Sequence, residues 1–243
     1  SLTLFVSQNE TVSRPWYTKN TRFINPDIMV DCAVAITTRV APSFLRIGQL
    51  ELFARRVRSN NRDNKKALDE LKMIVNFLIK RNYSENISLN NEFHDQLVQL
   101  ADLYRDKITS LVTDWIRVGY CQGNFNSDNC SLAGITLDYG PFGFCEMFDP
   151  EFQPWTGGGK HFSFFNQPAA AEANFQMFLY SLMPLLKDNE DAIEKLNDIK
   201  NGFQNLMKDK LNQMWANKLG LEKYDELLVN ELFSLMSLSK VDY

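Results

Sequence analysis

The chain has 243 residues, of which 44% are hydrophobic and 23% are charged, and its formal net charge is −4 at pH 7. A chain of this length and composition can bury a sizeable core within one or two domains. The acidic balance argues against a general nucleic-acid binder, because neutralising phosphates requires a basic surface. No apolar run approaches the roughly 20 residues of a membrane span, and no secretory signal is recognisable, so we expect a cytoplasmic or organelle-matrix location and no membrane partner.

The first forty residues are typical of β-strands. Runs of strand-forming residues at Leu2–Val6 and Thr11–Trp16 are expected to pair with each other across a turn at Gln8-Asn9. A polar connection over Asn20–Asp31 then leads to a further predicted strand over Ala33–Thr38. This part of the chain therefore predicts a small sheet.

From Phe44 onward, apolar residues recur at the spacing of an α-helix. The longest stretch shows a stripe of leucine and aromatic residues that ends at Gly119, and we assign this stripe to the core. The fold class predicted is α+β and mostly helical. The predicted helices are Phe44–Arg58, Lys65–Arg81, Phe93–Val118, Pro168–Lys187, Glu190–Leu219 and Tyr224–Leu238.

The cysteines show neither a Cys-x-x-Cys pair nor a disulfide-dense pattern, so reduced and partly buried thiols are expected. His94 and His161 lack the spacing of metal ligands and are interpreted as ordinary polar residues. The four cysteines are Cys32, Cys121, Cys130 and Cys145.

The stretch Asn126–Phe144 has polar residues placed symmetrically about Gly134. Short apolar runs at Cys130–Ala133 and Ile135–Leu137 lie on either side of the glycine, a pattern that predicts a tight hairpin. Folding back at Gly134 would place the two polar ends of the stretch beside each other.

In such a hairpin Asn129 lies opposite Asp138, and Asp128 lies one residue further out. Two carboxylates and an amide oxygen are the hard ligands that Mg²⁺ or Mn²⁺ prefers. Asp and Asn beside a strand are more often simple turn formers, but here they accompany Asp-Tyr-Gly at a fixed spacing. In kinase-like enzymes an Asn of the catalytic loop and the Asp of Asp-Phe-Gly hold the metal on the nucleotide phosphates.

These motifs resemble the SelO family of protein adenylyltransferases, named after selenoprotein O. The likeness extends over nearly the whole chain. It is carried by Thr38–Gly48, Asn126–Asn129, Ser131–Phe144, Asn166-Gln167-Pro168, Lys218–Leu221 and Val241-Asp242-Tyr243.

The resemblance implies a protein-kinase-like fold that binds ATP in a reversed orientation and transfers AMP to Ser, Thr or Tyr hydroxyls of protein substrates. It implies that Asp128 is the catalytic base and that Asn129 and Asp138 bind Mg²⁺ or Mn²⁺. It also implies that Arg39 and Arg46 hold the nucleotide. This role suits guanidinium groups, which bind phosphate oxygens through paired hydrogen bonds.

The resemblance also implies a division of the chain. Residues 1–40 match the last strands of an amino lobe and the hinge, and residues 41–243 match a kinase-like carboxyl lobe. Within that lobe, residues 121–130 form the catalytic loop and residues 138–140 form the Asp-Tyr-Gly motif.

Two departures leave alternatives open. Gln122 stands where family members usually have His, and Gln cannot titrate. No Gly-rich phosphate loop or strand lysine precedes Arg39. The alternatives are therefore a kinase that transfers the terminal phosphate and an inactive lobe that serves as a binding module.

Overall fold

The computed structural model describes residues 2–15, 28–59, 64–137, 140–155, 158–239 and 241–243. Its contacts divide the chain into two units, Ser1–Pro42 and Ser43–Tyr243. The expected assignment of residues 1–40 and 41–243 to two kinase-like lobes stays a prediction. Among the described residues, no helix has the length and apolarity needed to cross a bilayer.

The first unit contains an antiparallel pair of strands, β1 (Leu2–Pro15) and β2 (Met29–Thr38). The predicted strand over Ala33–Thr38 is confirmed as part of β2. The predicted pairing of Leu2–Val6 with Thr11–Trp16 is wrong, because both segments up to Pro15 belong to the single strand β1 and pair with β2.

The polar pair Gln8-Asn9 forms a bulge within β1. Val6 pairs with Ala35 and Thr11 pairs with Ala33, so residues 7–10 lie opposite the single residue Val34. Extra residues of this kind are left out of the ladder and bend the strand without ending it. The turn signal in the sequence therefore marks a bulge. Residues 16–27, which include most of the predicted polar connection, lie outside the described residues.

The second unit is mostly helical, and the predicted α+β class with predominant helix is confirmed. A second antiparallel pair of strands is formed by β3 (Tyr120–Cys121) and β4 (Gly143–Phe144). The helices are α1 (Ile47–Ser59), α2 (Asn64–Asn82), α3 (Phe93–Arg117), α4 (Gln167–Leu182), α5 (Glu190–Asn201), α6 (Phe203–Leu219) and α7 (Glu226–Ser239).

Helix α3 is the centre of this unit and packs against α4, α5 and α6. The predicted core stripe is confirmed, since Leu97, Leu100, Tyr104 and Ile108 are fully buried. The helix ends before Gly119, whose φ of 75° is in the left-handed region that favours glycine. The chain then enters β3 directly, so the core helix fixes the start of the predicted catalytic loop.

The single helix predicted over Glu190–Leu219 is instead two helices that meet at Gly202. Arg105 of α3 donates from Nη1 to the carbonyl oxygen of Ile199 over 3.0 Å, and a side chain at Gly202 would contact that guanidinium. The break therefore allows α3 to satisfy a carbonyl at the carboxyl end of α5.

The last three described residues lie along residues 146–148. The backbone N–H of Tyr243 donates to the carbonyl of Glu146, which follows β4. Its hydroxyl donates to the carbonyl of Ile116, in the last turn of α3. A side chain at Gly119 would contact the Tyr243 ring. Tyr243 of the Val-Asp-Tyr motif therefore packs against the junction between α3 and β3 and stabilises it.

The predicted state of the cysteines is confirmed. All four are free, and Cys121, Cys130 and Cys145 are buried while Cys32 is partly exposed. Burial raises the pKa of the Cys130 thiol from 9.0 to about 12, and its sulfur lies 3.3 Å from the Tyr104 hydroxyl. Because the thiolate is the nucleophile, this thiol is unreactive at neutral pH while the chain is folded.

We predict that Cys130 makes folding stability fall as the pH rises above 9. In the unfolded chain the thiol ionises near its ordinary pKa of 9.0, whereas the native state holds the proton up to about pH 12. The unfolded state then binds fewer protons, so the free energy of unfolding declines by about 1.4 kcal/mol per pH unit for this thiol. Urea titrations at pH 8 to 11 measure this decline.

The matched control is Cys130→Ala, because alanine has no proton to lose. Its unfolding free energy should be lower at every pH, as expected when buried volume is removed. The gap in unfolding free energy between the natural protein and Cys130→Ala should narrow between pH 9 and 11. A gap that stays constant over this range would contradict the prediction.

Candidate functional site

The predicted catalytic loop, residues 121–130, contains a single 3₁₀ turn over Ser127–Asn129. Asn126 starts the turn, because its Oδ1 accepts a hydrogen bond of 3.0 Å from the N–H of Asp128. Its backbone carbonyl accepts a second bond of 3.0 Å from the N–H of Asn129. Asn favours such local bonds to its own backbone. The polar run therefore folds as a tight turn that carries Asp128 and Asn129 side by side.

Asp128 is exposed, and its carboxylate has no hydrogen-bond or ion-pair partner within the described residues. It lies against Gly48 in the first turn of α1, where an added methyl group would overlap its Oδ1. The amino end of a helix carries partial positive charge and attracts anions. The absence of a side chain at Gly48 therefore makes room for an accessible carboxylate beside that helix end.

Asn129 is half-buried and donates from Nδ2 to the carbonyl oxygen of Asn124 over 2.9 Å. This bond fixes the orientation of the amide and leaves Oδ1 as the atom able to bind a cation. Together with the carboxylate of Asp128, it provides two hard oxygen donors that suit Mg²⁺ or Mn²⁺.

Asp138 and Tyr139 lie outside the described residues, so the expected approach of Asp138 to Asn129 stays a prediction. In the part of the chain that the structure describes, no three His, Cys, Asp or Glu side chains cluster as a metal site. The donor set of the described residues is therefore the neighbouring pair Asp128 and Asn129.

The predicted hairpin about Gly134 is wrong for the described stretches. Residues 130–132 pair instead with residues 45–47, through bonds from Ile47 N–H to the Cys130 carbonyl (3.1 Å) and from Leu132 N–H to the Leu45 carbonyl (2.9 Å). Gly134 does turn the chain, with a φ of 70°. The segment after the loop is thus joined to the start of α1.

Buried tyrosines explain this difference. The Tyr83 hydroxyl donates to the Leu132 carbonyl over 2.7 Å, and the Tyr104 hydroxyl donates to the Ser131 carbonyl over 3.2 Å. Burial raises the pKa of both hydroxyls, which therefore remain protonated donors. Carbonyls that a hairpin partner would have satisfied are bonded to side chains from distant parts of the sequence.

The pairing of residues 45–47 brings Arg46 opposite Ser131. The backbone N–H of Arg46 donates to Gln49 Oε1 over 3.0 Å, as in a capping box at the start of a helix. Its half-buried guanidinium makes no hydrogen bond or ion pair with the described residues. Arg46, Asp128 and Asn129 are therefore neighbours around the start of α1, whereas Arg39 follows β2 in the other unit.

Glu51 is a site residue that the sequence patterns did not reveal. It follows Gly48 by three residues and so lies on the same face of α1. Its Oε2 accepts from the Ser127 hydroxyl over 3.2 Å, while Oε1 pairs with Arg55. Glu51 therefore ties the 3₁₀ turn to α1 on the side next to Asp128.

Two amides of α4 hold the earlier part of the loop. Gln167 accepts from the N–H of Gln122 and donates to the carbonyl of Tyr120, both over 2.9 Å. Asn174 donates to the carbonyl of Phe125 over 2.8 Å. The two amides are seven residues apart, so they share one face of the helix. The available signal was a pair of amides, seven residues apart, on the mostly apolar buried face of α4.

Gln122 is 1% exposed. The Tyr120 hydroxyl donates to its Oε1, and its Nε2 has no partner within the described residues. A buried donor without a partner costs roughly 1–3 kcal/mol. Gln122 is therefore an uncharged side chain in the interior of the loop.

The sequence of this chain is similar to those of known proteins. The model of the family "Protein adenylyltransferase SelO" matches residues 20–243. Three bacterial relatives are each named "Protein nucleotidyltransferase YdiU". The Pelagibacter ubique protein is 34% identical over 215 residues, covering 86% of this chain and 42% of the relative. The Cytophaga hutchinsonii protein is 34% identical and the Flavobacterium johnsoniae protein 32% identical, each over 86% of this chain and 38% of the relative.

The chain thus spans about two fifths of the length of these relatives. The family model nevertheless covers nearly all of the chain, including the loop and both ends of the second unit. The chain belongs to the SelO family of protein adenylyltransferases.

Proposed function

We propose that this chain is the kinase-like carboxyl-lobe part of an enzyme that uses ATP and Mg²⁺ or Mn²⁺ to transfer AMP to hydroxyl side chains of proteins. The observation that carries the proposal is the turn at Ser127–Asn129. It presents an unpaired carboxylate and an oriented amide oxygen beside the start of α1. The names of the family and of its bacterial relatives agree with nucleotidyl transfer to protein.

In this reaction the hydroxyl oxygen of the acceptor forms a bond to the α-phosphorus of ATP. The bond from that phosphorus to the oxygen bridging the β-phosphorus breaks, and pyrophosphate leaves with the electron pair. The hydroxyl proton passes to the carboxylate of Asp128. The exposure of this carboxylate and its freedom from other bonds support the role, because a general base must reach the proton it removes.

Arg46 is proposed to hold the triphosphate, since its guanidinium is uncommitted within the described residues and its backbone pairs with Ser131, just after the loop. Arg39 is proposed as the second arginine. Asn129 and Asp138 are proposed to hold the cation, which when bound would neutralise charge on the phosphates. Catalysis of this kind depends chiefly on positioning and charge neutralisation.

Gln122 limits where proton transfer takes place. An amide does not titrate between pH 4 and 10. No acid–base step therefore runs through this position, and Asp128 is the proposed base that the loop offers to the acceptor hydroxyl. The bond from Tyr120 to Gln122 gives the position a structural role in holding the loop.

We predict that mass spectrometry of a protein substrate, incubated with ATP, Mg²⁺ and the natural full-length protein, will show added AMP. Residues 1–243 alone should fold but bind ATP weakly and transfer little AMP, because residues 1–38 contain no glycine and therefore no Gly-rich phosphate loop. Titrations of ATP against this chain and against a form extended at the amino end compare the affinities.

Added phosphate instead of AMP would identify a kinase. The absence of both products, with ATP still bound, would identify a binding module. In the active form Asp138→Ala should abolish transfer with little change in stability, because it deletes a proposed cation ligand and relieves repulsion between carboxylates.

We predict that Gly48→Ala will reduce AMP transfer strongly while leaving the fold intact. A methyl group at this position overlaps the end of the Asp128 side chain, which must rotate away. Alanine suits a helix better than glycine, so the unfolding free energy should stay the same or rise by up to about 1 kcal/mol. Rates of transfer and urea titrations measure the two effects.

Gly220→Ala is the matched control, because it lies far along the chain at the end of α6 with open space around it. Its φ of 69° makes alanine unfavourable there, so this variant should lose about 1 kcal/mol of stability and keep its activity. Full transfer activity in Gly48→Ala would show that the position of Asp128 does not matter.

A further inference from the structure

A cavity of about 580 Å³ lies beside the predicted catalytic loop, between residues 125–127, the turn Lys160–Phe162 and α4. This volume is within the range of roughly 300–1,000 Å³ that is typical of binding pockets. Its lining includes Phe125, Asn126, Ser127, Phe162, Ala173 and Met177.

Among the described residues, the lining of this cavity contains no Asp, Glu, Lys or Arg side chain. Three polar side chains of the lining already make hydrogen bonds within the protein: Asn174 donates to the Phe125 carbonyl, and Ser127 donates to Glu51. Asn166 donates to the Lys160 carbonyl over 2.9 Å. The walls that remain are aromatic rings, a methionine and small alanine side chains. Such walls favour an apolar occupant and disfavour phosphate groups.

The position of the cavity connects it to the reaction. Asn126 and Ser127 line it, and the next residue is Asp128, the proposed base. An occupant that contacts these two residues therefore lies beside the turn that carries Asp128. Arg46, the proposed phosphate ligand, is not among the lining residues. The acceptor, and not the nucleotide, is the substrate that suits this place.

We propose that the cavity binds an apolar side chain of the acceptor protein next in sequence to the hydroxyl-bearing residue, and so selects the segment to be modified. This inference rests on the proposed function. An acidic residue at the same place in the acceptor would be disfavoured, because Asp128 lies on the adjoining turn, Glu51 of α1 is bonded to that turn, and no described residue of the lining is Lys or Arg.

Filling the cavity provides the test. Ala173 is exposed on α4, so Ala173→Leu adds volume to the cavity without replacing a core residue. The control is Gln176→Leu, an exposed position three residues further along the same helix and outside this lining. Thermal unfolding of both variants should match that of the natural protein.

The measurements use the natural full-length protein and three synthetic peptides that place Leu, Ser or Glu beside one hydroxyl residue. The KM for AMP transfer should be lowest for Leu and highest for Glu. Ala173→Leu should raise the KM of the Leu peptide at least about tenfold, the worth of burying one apolar side chain, while kcat changes little. Gln176→Leu should leave both constants unchanged.

Fluorescence anisotropy of labelled Leu peptide, without ATP, gives a readout independent of transfer. Weaker binding by Ala173→Leu alone supports the cavity even if no AMP is transferred, and absence of transfer by the natural protein then rejects only the proposed function. Equal affinities and equal KM values in Ala173→Leu and the natural protein would overturn the cavity proposal while leaving AMP transfer in place. Equal effects of Ala173→Leu and Gln176→Leu would also overturn it.

Discussion

The site depends on how the buried backbone of an irregular loop obtains its hydrogen bonds. Backbone N–H and carbonyl groups that are removed from water must find partners, and a loop has no ladder to supply them. Strand β3 covers only Tyr120–Cys121, so the following residues rely on α4. Gln167 imitates a neighbouring strand by bonding a carbonyl and an N–H two residues apart, and Asn174 bonds the next buried carbonyl. Each unsatisfied group would cost roughly 1–3 kcal/mol.

The same principle governs the far side of the loop. There the carbonyls of Ser131 and Leu132 accept from Tyr104 and Tyr83, and the backbone of residues 130–132 pairs with residues 45–47. The loop is therefore held from both sides by helices or by residues next to them. This arrangement explains how Asp128 is held against Gly48 of α1, although the described residues of this unit form a single short pair of strands.

Sequence patterns predicted what is local and periodic. The stripe of α3, the strand that became β2 and the buried free cysteines follow from spacing and composition. The neighbouring pair Asp128 and Asn129 was identified by its motif.

Patterns failed where the deciding group comes from elsewhere in the chain. Tyr83 replaces a hairpin partner, and Arg105 stabilises the break at Gly202, which a periodic pattern passes over. Glu51 and Gln167 act through hydrogen bonds to residues distant in the sequence, and hydrophobic periodicity does not predict such bonds.

The contact between Gly48 and Asp128 also constrains how such a protein can change over evolutionary time. The two positions are distant in sequence, yet Gly48 can be replaced by a residue with a side chain only if the carboxylate of Asp128 moves away. A lineage that first loses Asp128 is then free to accept alanine at position 48, which is a better helix former. Once that alanine is fixed, a mutation that restores Asp128 no longer restores its location. The steric dependence between positions 48 and 128 therefore makes loss of the carboxylate difficult to reverse.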